Sequence, residues 1–239
     1  MSNNIKKFCL VTGCAGGIGQ ALVDSFCQEG YQVIGIDKDM TSSDSKSFYY
    51  MQVDLSRLVH DEGYGLQFLS KIESITKSCG LNVLINNAAV QVLGGVESLN
   101  IKDWLSTLEI NLLAPFVLTK LLLPQLEQAK GSVINVSSIH AHLTKANFVA
   151  YATSKAALSG LTRSMAIDLA DRVRVNAIEP AAIETQMLLS GFNNDQDQLE
   201  KLKSCHPTGE IGQARELSRL AISIASDDLG FLHGACIPF

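Results

Sequence analysis

The chain has 239 residues, 46% of them hydrophobic, which is enough to bury a substantial core and argues against a disordered or fibrous protein. Its 19 basic and 24 acidic residues leave a formal charge of −5 with no basic block, which argues against nucleic acid as a principal partner. The N-terminal apolar run from Phe8 to Val11 is too short for a signal-peptide core, and no stretch approaches about 18 apolar residues, so a cytoplasmic protein with no membrane partner is expected.

Short apolar and β-branched runs recur along the chain at 8–12, 31–36, 48–53, 81–86, 132–137, 172–178 and 234–239. Several lack polar alternation, as strands covered on both faces do. Helical patterns fall between them at about 17–29, 63–78, 100–128, 151–169 and 213–225, the fourth marked by a stripe of Leu158, Leu161, Met165 and Leu169. Alternating strands and helices predict parallel pairing through right-handed crossovers. The expected fold is therefore an α/β, doubly wound, Rossmann-like parallel sheet of about seven strands, in a single domain spanning 1–239. The polar stretch 37–47 reads as a loop. The longer one, 191–210, reads as a mobile lid or as a plain exposed connection.

The first strand runs into TGCAGGIGQ, with glycines at 13, 16, 17 and 19 before a helical pattern. Glycines there let the backbone turn tightly and approach a pyrophosphate, which rests on the free N–H groups of the helix N-terminus. A dinucleotide is the expected cofactor. Asp37 closes the second strand, 18 residues beyond Gly19. A carboxylate at that point accepts hydrogen bonds from the adenosine ribose and repels a 2′-phosphate, so NAD is expected rather than NADP. Asp54, at the end of the third strand, is placed either to meet the adenine or to cap a helix.

The six cysteines are scattered without a CxxC pair, so neither a disulfide framework nor a metal site is expected. Tyr151 and Lys155 stand one helical turn apart in YATSKAALSG. Alone, that spacing fits an exposed helix face as well as it fits an activated phenol.

Taken together, TGxxxGxG at Thr12 to Gly19, NNAA at Asn86 to Ala89, Asn111 in INLLAPF, Ser138 in VSS and YxxxK at Tyr151 to Lys155 resemble the short-chain dehydrogenase/reductase family, in order and over nearly the whole chain. The resemblance implies an oxidoreductase that interconverts a secondary alcohol and a ketone. Tyr151 would be the catalytic acid/base, its phenol brought from a pKa of about 10 to near 7 by Lys155 and the nicotinamide's charge, a preference of roughly 4 kcal/mol for the phenolate. Lys155 would also bind the nicotinamide ribose. Ser138 would hold the substrate oxygen, with Ser137 the less well placed neighbour, and Asn111 would hold a water behind Lys155 as a proton relay. Gly13, Gly17, Ile18, Gly19, Asp37, Asp54, Leu55, Asn87, Ala88, Tyr151 and Lys155 would contact the cofactor. Pro180, Ile183 and Thr185, from EPAAIET, would reach its carboxamide.

Ala181 stands where the family has glycine, so the backbone there must avoid conformations that only glycine tolerates. The chain ends at Phe239 without the family's usual Asp-Gly-Gly segment, and the contacts of that tail are not carried over. His140, His142, Gln91, Leu93, Phe148, Met187 and Phe192 are candidate walls of the substrate pocket. A homo-oligomer, dimer or tetramer, is implied through the helices at 100–128 and 151–169. Two other readings stand beside this one: a 3-oxoacyl thioester reductase of the same family, and a protein that senses a dinucleotide without turning over a substrate.

Overall fold

The computed structural model describes residues 6–40, 46–191 and 195–239. Its strands are β1 (Phe8–Thr12), β2 (Gln32–Asp37), β3 (Phe48–Gln52), β4 (Val83–Asn86), β5 (Ser132–Val136), β6 (Arg174–Glu179) and β7 (Cys236–Pro238). All neighbours pair in parallel, in the order β3-β2-β1-β4-β5-β6-β7. Strand order runs one way from β1 to β3 and the other way from β4 to β7. The crevice outside the carboxyl ends of β1 and β4 is therefore the switch point at which sheets of this kind take their ligands.

Alternate side chains of each strand enter two separate cores. On one face Leu10, Leu84, Val133 and Val175 pack with Leu118, Leu122 and Leu126 of helix α5 (Ala114–Gln128). On the other, Val11, Ile85 and Ile134 pack with Leu22 and Phe26 of α1 (Gly17–Gln28) and with Leu217 and Ile224 of the helix Ala214–Ala225. Double coverage is why β1, β4 and β5 are buried along their whole length and read as unbroken apolar runs.

Three expectations about the helices need correcting. The stretch 54–62 holds a short helix, α2 (Leu55–His60), which Asp54 caps by accepting from Ser56 N–H at 2.9 Å; α3 (Glu62–Thr76) follows it. The helix expected over 100–128 is three pieces: α4 (Ile101–Leu108), a π-helical turn (Glu109–Leu113) and α5. Pro115 has no N–H to give the Asn111 carbonyl four residues back, and the ladder widens there, with Ala114 N–H reaching Glu109 O. Together the pieces are long and apolar enough to cross a membrane, against the expectation that no segment is, but Ala114, Leu118, Leu122 and Leu126 lie in the core.

The stretch 191–210 is also not a plain connection. After α6 (Val149–Leu169) come α7 (Gln186–Gly191) and α8 (Gln196–Ser204), the latter holding Leu199 buried, before α9 (Ala214–Ala225). Phe192 lies outside the described residues.

Candidate active site

The glycine-rich turn lies at the switch point. Gly13 has φ +66°, and a Cβ on it would sit 2.8 Å from the Cα of Ala88. Thr12 fastens this turn to the end of β4: its hydroxyl accepts from Asn87 N–H at 2.9 Å and Ala88 N–H at 2.8 Å, while the Asn87 amide donates to the Thr12 carbonyl at 2.9 Å. A methyl on Gly19 would overlap the Gly13 carbonyl oxygen. The N-terminus of α1 at Gly16 has no side-chain cap, which leaves the first N–H groups of the helix, Gly17 and Ile18 among them, without intrahelical partners. Bare backbone donors at a cradle that a side chain would fill suit a pyrophosphate.

Asp37 at the end of β2 faces this turn. One carboxylate oxygen accepts from Ala15 N–H at 2.9 Å and the other from Asp39 N–H at 3.1 Å. Asp54 and Leu55 stand at the end of β3 and the start of α2, with Leu55 half-buried against the core. The segment after β6 closes over the turn from the other side. Ile183 is buried and bridges to Gly212, and the Thr185 side chain packs on Gly17 while its hydroxyl accepts from Leu188 N–H at 3.3 Å. The Pro180 carbonyl accepts from Ile139 N–H at 3.0 Å, and Ala181 needs no positive φ, as its side chain requires.

At the end of β5 the chain enters a short 3₁₀ turn, Ile139–Ala141, capped by Ser138, whose hydroxyl oxygen accepts from His140 N–H at 3.2 Å. The same hydroxyl lies near enough to the phenol of Tyr151, on the first turn of α6, to pull its pKa down. Ser137 points elsewhere, donating to the Lys155 carbonyl at 3.0 Å and lying 2.9 Å from the Ser159 hydroxyl. Lys155 is buried; its Nζ lies 5.6 Å from the centre of the Tyr151 ring and donates to the Val136 carbonyl at 2.7 Å.

Burial pushes Lys155 down from 10.5 to about 8, which still leaves it an ammonium at pH 7. Burial also lifts Tyr151 above the usual phenol value, against the pull of Ser138. In the protein alone burial thus sets the direction of the Tyr151 shift, with Nζ bonded to the Val136 carbonyl, whereas the expected lowering belongs to the cofactor-bound protein.

Asn111 sits within the π turn, buried, but its side chain does not reach Lys155. The amide accepts from Val90 N–H at 2.8 Å and donates to Val90 O at 2.9 Å and Ser154 Oγ at 3.0 Å. What the side chain does is tie α6 to the irregular segment after β4.

Two residues near the site were not foreseen in their actual roles. Glu179, the last residue of β6, is fully buried, accepting from Ser159 Oγ at 2.7 Å with its other oxygen 3.0 Å from His142 Nε2. His142 is therefore committed to Glu179 rather than open to substrate. Phe148 is buried and forms an edge contact with Tyr151, centroids 5.8 Å apart, whereas Leu93 is exposed. A glutamate closing a buried strand was the available signal, but its histidine lies 37 positions away in the chain.

A family model described as short chain dehydrogenase matches residues 7–196. The 3-oxoacyl-(acyl-carrier-protein) reductase of Thermotoga maritima is 31% identical over 236 residues, covering 97% of this chain and 95% of its own. The D-threitol dehydrogenase of Mycolicibacterium smegmatis is 28% identical over 237 residues, with 96% and 89% covered. Among solved structures, ligand-free aldohexose dehydrogenase of Thermoplasma acidophilum superposes with a TM-score of 0.90 at 27% identity, over 98% of this chain and 92% of that one. A sheet of the same order, a glycine-rich turn at its switch point and a family match over most of the length lead to one conclusion: this chain belongs to the short-chain dehydrogenase/reductase family of oxidoreductases.

Proposed function

We propose that this protein interconverts a secondary alcohol and a ketone, with NAD as its preferred dinucleotide. The observation that carries the reading is the convergence of the Ser138 hydroxyl on the Tyr151 phenol, with the buried Lys155 ammonium 5.6 Å from the centre of the same ring, beside the glycine-rich turn. When bound, the dinucleotide supplies the hydride acceptor and a positive charge. Gly13, Gly17, Ile18 and Gly19 would hold its phosphates, Asp37 its adenosine ribose, Asp54 and Leu55 its adenine, Asn87 and Ala88 its middle, and Pro180, Ile183 and Thr185 its carboxamide. The Asp37 carboxylate supports NAD, because a 2′-phosphate beside it would meet like charge.

In this reading Ser138 orients the carbinol oxygen and Tyr151 takes its proton. Bringing the phenol to near 7 requires roughly 4 kcal/mol of preference for the phenolate. In the protein alone burial raises the phenol, so the lowering would accompany cofactor binding, with Lys155 still protonated at pH 7. Asn111 would hold the water that carries the proton outward. A homo-oligomer is supported by Ile101, Leu105, Phe116 and Ile167, which are exposed on α4, α5 and α6.

Reduction of a 3-oxoacyl thioester is the second reading, favoured by the 31% identical relative; Asp37 speaks against the NADPH such a reaction would more often use. The test is turnover followed at 340 nm with NAD(H) and NADP(H), on a panel of alcohols, ketones and acetoacetyl-thioester, for wild type and Tyr151→Phe. An alcohol oxidised with NAD, and lost by about 100-fold or more in the variant, supports the proposal. Equal activity of the variant overturns the mechanism, and NADPH-dependent thioester reduction selects the second reading.

A further inference from the structure

The turn after Ser138 sets His140 against the phenol. Its ring stacks on buried Phe148 with centroids 4.6 Å apart and stands edge-on to Tyr151 at 6.1 Å. Its Nδ1 lies 3.1 Å from the Leu143 carbonyl. A carbonyl oxygen can only accept, so Nδ1 must carry the hydrogen. Burial and the charge of Lys145 push the ring's pKa below its ordinary value, against the pull of the Leu143 carbonyl, which keeps it neutral at pH 7.

In a neutral ring with its hydrogen on Nδ1, Nε2 holds a lone pair and can only accept. Among the described residues nothing donates to it. Turning the ring over would give up the Leu143 bond, which therefore holds this orientation of a ring that stands against the phenol ring. His142, two residues on, differs in just this respect, because its Nε2 is taken by Glu179.

We infer that His140 Nε2 accepts a hydrogen bond from a second hydroxyl of the substrate, so that the protein selects alcohols bearing a neighbouring hydroxyl, diols and polyols, over isolated mono-alcohols. This rests on the reading of Tyr151 as the acid/base. A hydroxyl on the adjoining carbon meets Nε2 when the carbinol oxygen is held by Ser138 and Tyr151. A mono-alcohol offers that acceptor no donor and forgoes the bond, which discriminates against a missing hydroxyl.

The test compares kcat/KM, with NAD, for two matched pairs: cyclohexanol with trans-cyclohexane-1,2-diol, and butan-2-ol with butane-2,3-diol. Wild type should favour each diol by about tenfold or more, the scale of one neutral hydrogen bond. His140→Phe, which keeps an aromatic ring against Phe148, should lose the diol preference, the diol-to-mono-alcohol ratio of kcat/KM falling to about one. His140→Gln, whose amide oxygen accepts, should recover much of it, and it also serves if the phenylalanine variant does not fold. A diol preference absent in wild type, or unchanged in both variants, overturns the inference while leaving alcohol oxidation standing. If wild type oxidises none of the four and Tyr151→Phe matches wild type on every substrate of the wider panel, the reading of Tyr151 fails and the inference fails with it.

Discussion

Replacing Lys155 by Met would show how the protein carries a buried ammonium in the absence of cofactor. Lys155 is 2% exposed, and burial brings its pKa from 10.5 to about 8. Below pH 8 the folded and unfolded chains both hold the proton, and the folded state bears the whole cost of burying the charge. Between pH 8 and 10.5 the folded state has released its proton while the unfolded chain still binds one, so stability rises with pH across that window. A tenfold difference in proton affinity between the two states is worth about 1.4 kcal/mol, which makes the full gain about 3 kcal/mol, most of it realised by pH 10. Tyr151 is lifted above its usual value and so does not titrate below that point.

Methionine fills nearly the same volume and carries no charge. Its effect on packing, and on the Val136 carbonyl that loses a donor, is the same at every pH. The stability difference between Lys155→Met and wild type, from urea unfolding at pH 7, 8, 9 and 10, should therefore move by about 2 to 3 kcal/mol in favour of wild type as pH rises. A difference that stays constant with pH would refute the claim that Lys155 is a strained ammonium in the free protein.

Three further outcomes follow from the geometry. Gly19→Ala should abolish measurable NAD binding by calorimetry and lower the urea midpoint, since the added methyl overlaps the Gly13 carbonyl and backbone cannot move aside as a side chain can. The Cys14 thiol, pushed up to about 12 by burial and then by the Asp37 charge, should stay unalkylated by iodoacetamide at pH 8 while exposed Cys205 reacts, as peptide mass spectrometry would show. His142→Ala should destabilise the fold by about 1 kcal/mol, because it strips a donor from the buried Glu179 carboxylate; the figure lies at the low end for a charged hydrogen bond because His142 is more than half exposed, and an unchanged urea midpoint would count against the pair.

The sheet was legible because its strands are buried on both faces, which turns them into continuous apolar runs, and the glycine turn and YxxxK pair were legible because their spacing is local. What escaped had a physical reason in each case. Helix α8 is polar apart from Leu199 and Leu202, too short an apolar pattern to read as a helix. The break at Asn111 left hydrophobic periodicity intact on either side, and Pro115 was the overlooked sign. Asp54 was read with its two roles open, and the structure fills one of them, the cap of α2. The Glu179–His142 pair joins a strand end to a distant turn, and nothing in either local stretch announces the other. The burial that raises the free phenol escaped for a different reason: desolvation depends on how completely the fold closes around Tyr151, which spacing does not reveal.

Asp37 has a consequence for attempts to change the cofactor. Its carboxylate is also a structural support of the turn that approaches the pyrophosphate, through Ala15 N–H at 2.9 Å. Exchanging Asp37 for a small neutral residue to admit a 2′-phosphate would leave that amide without its acceptor and loosen the turn on which both dinucleotides depend. In the proposed reading one side chain would thus carry both selectivity and affinity, and a variant meant to accept NADP would have to recover the lost support with a second substitution near Ala15 before it bound either cofactor well.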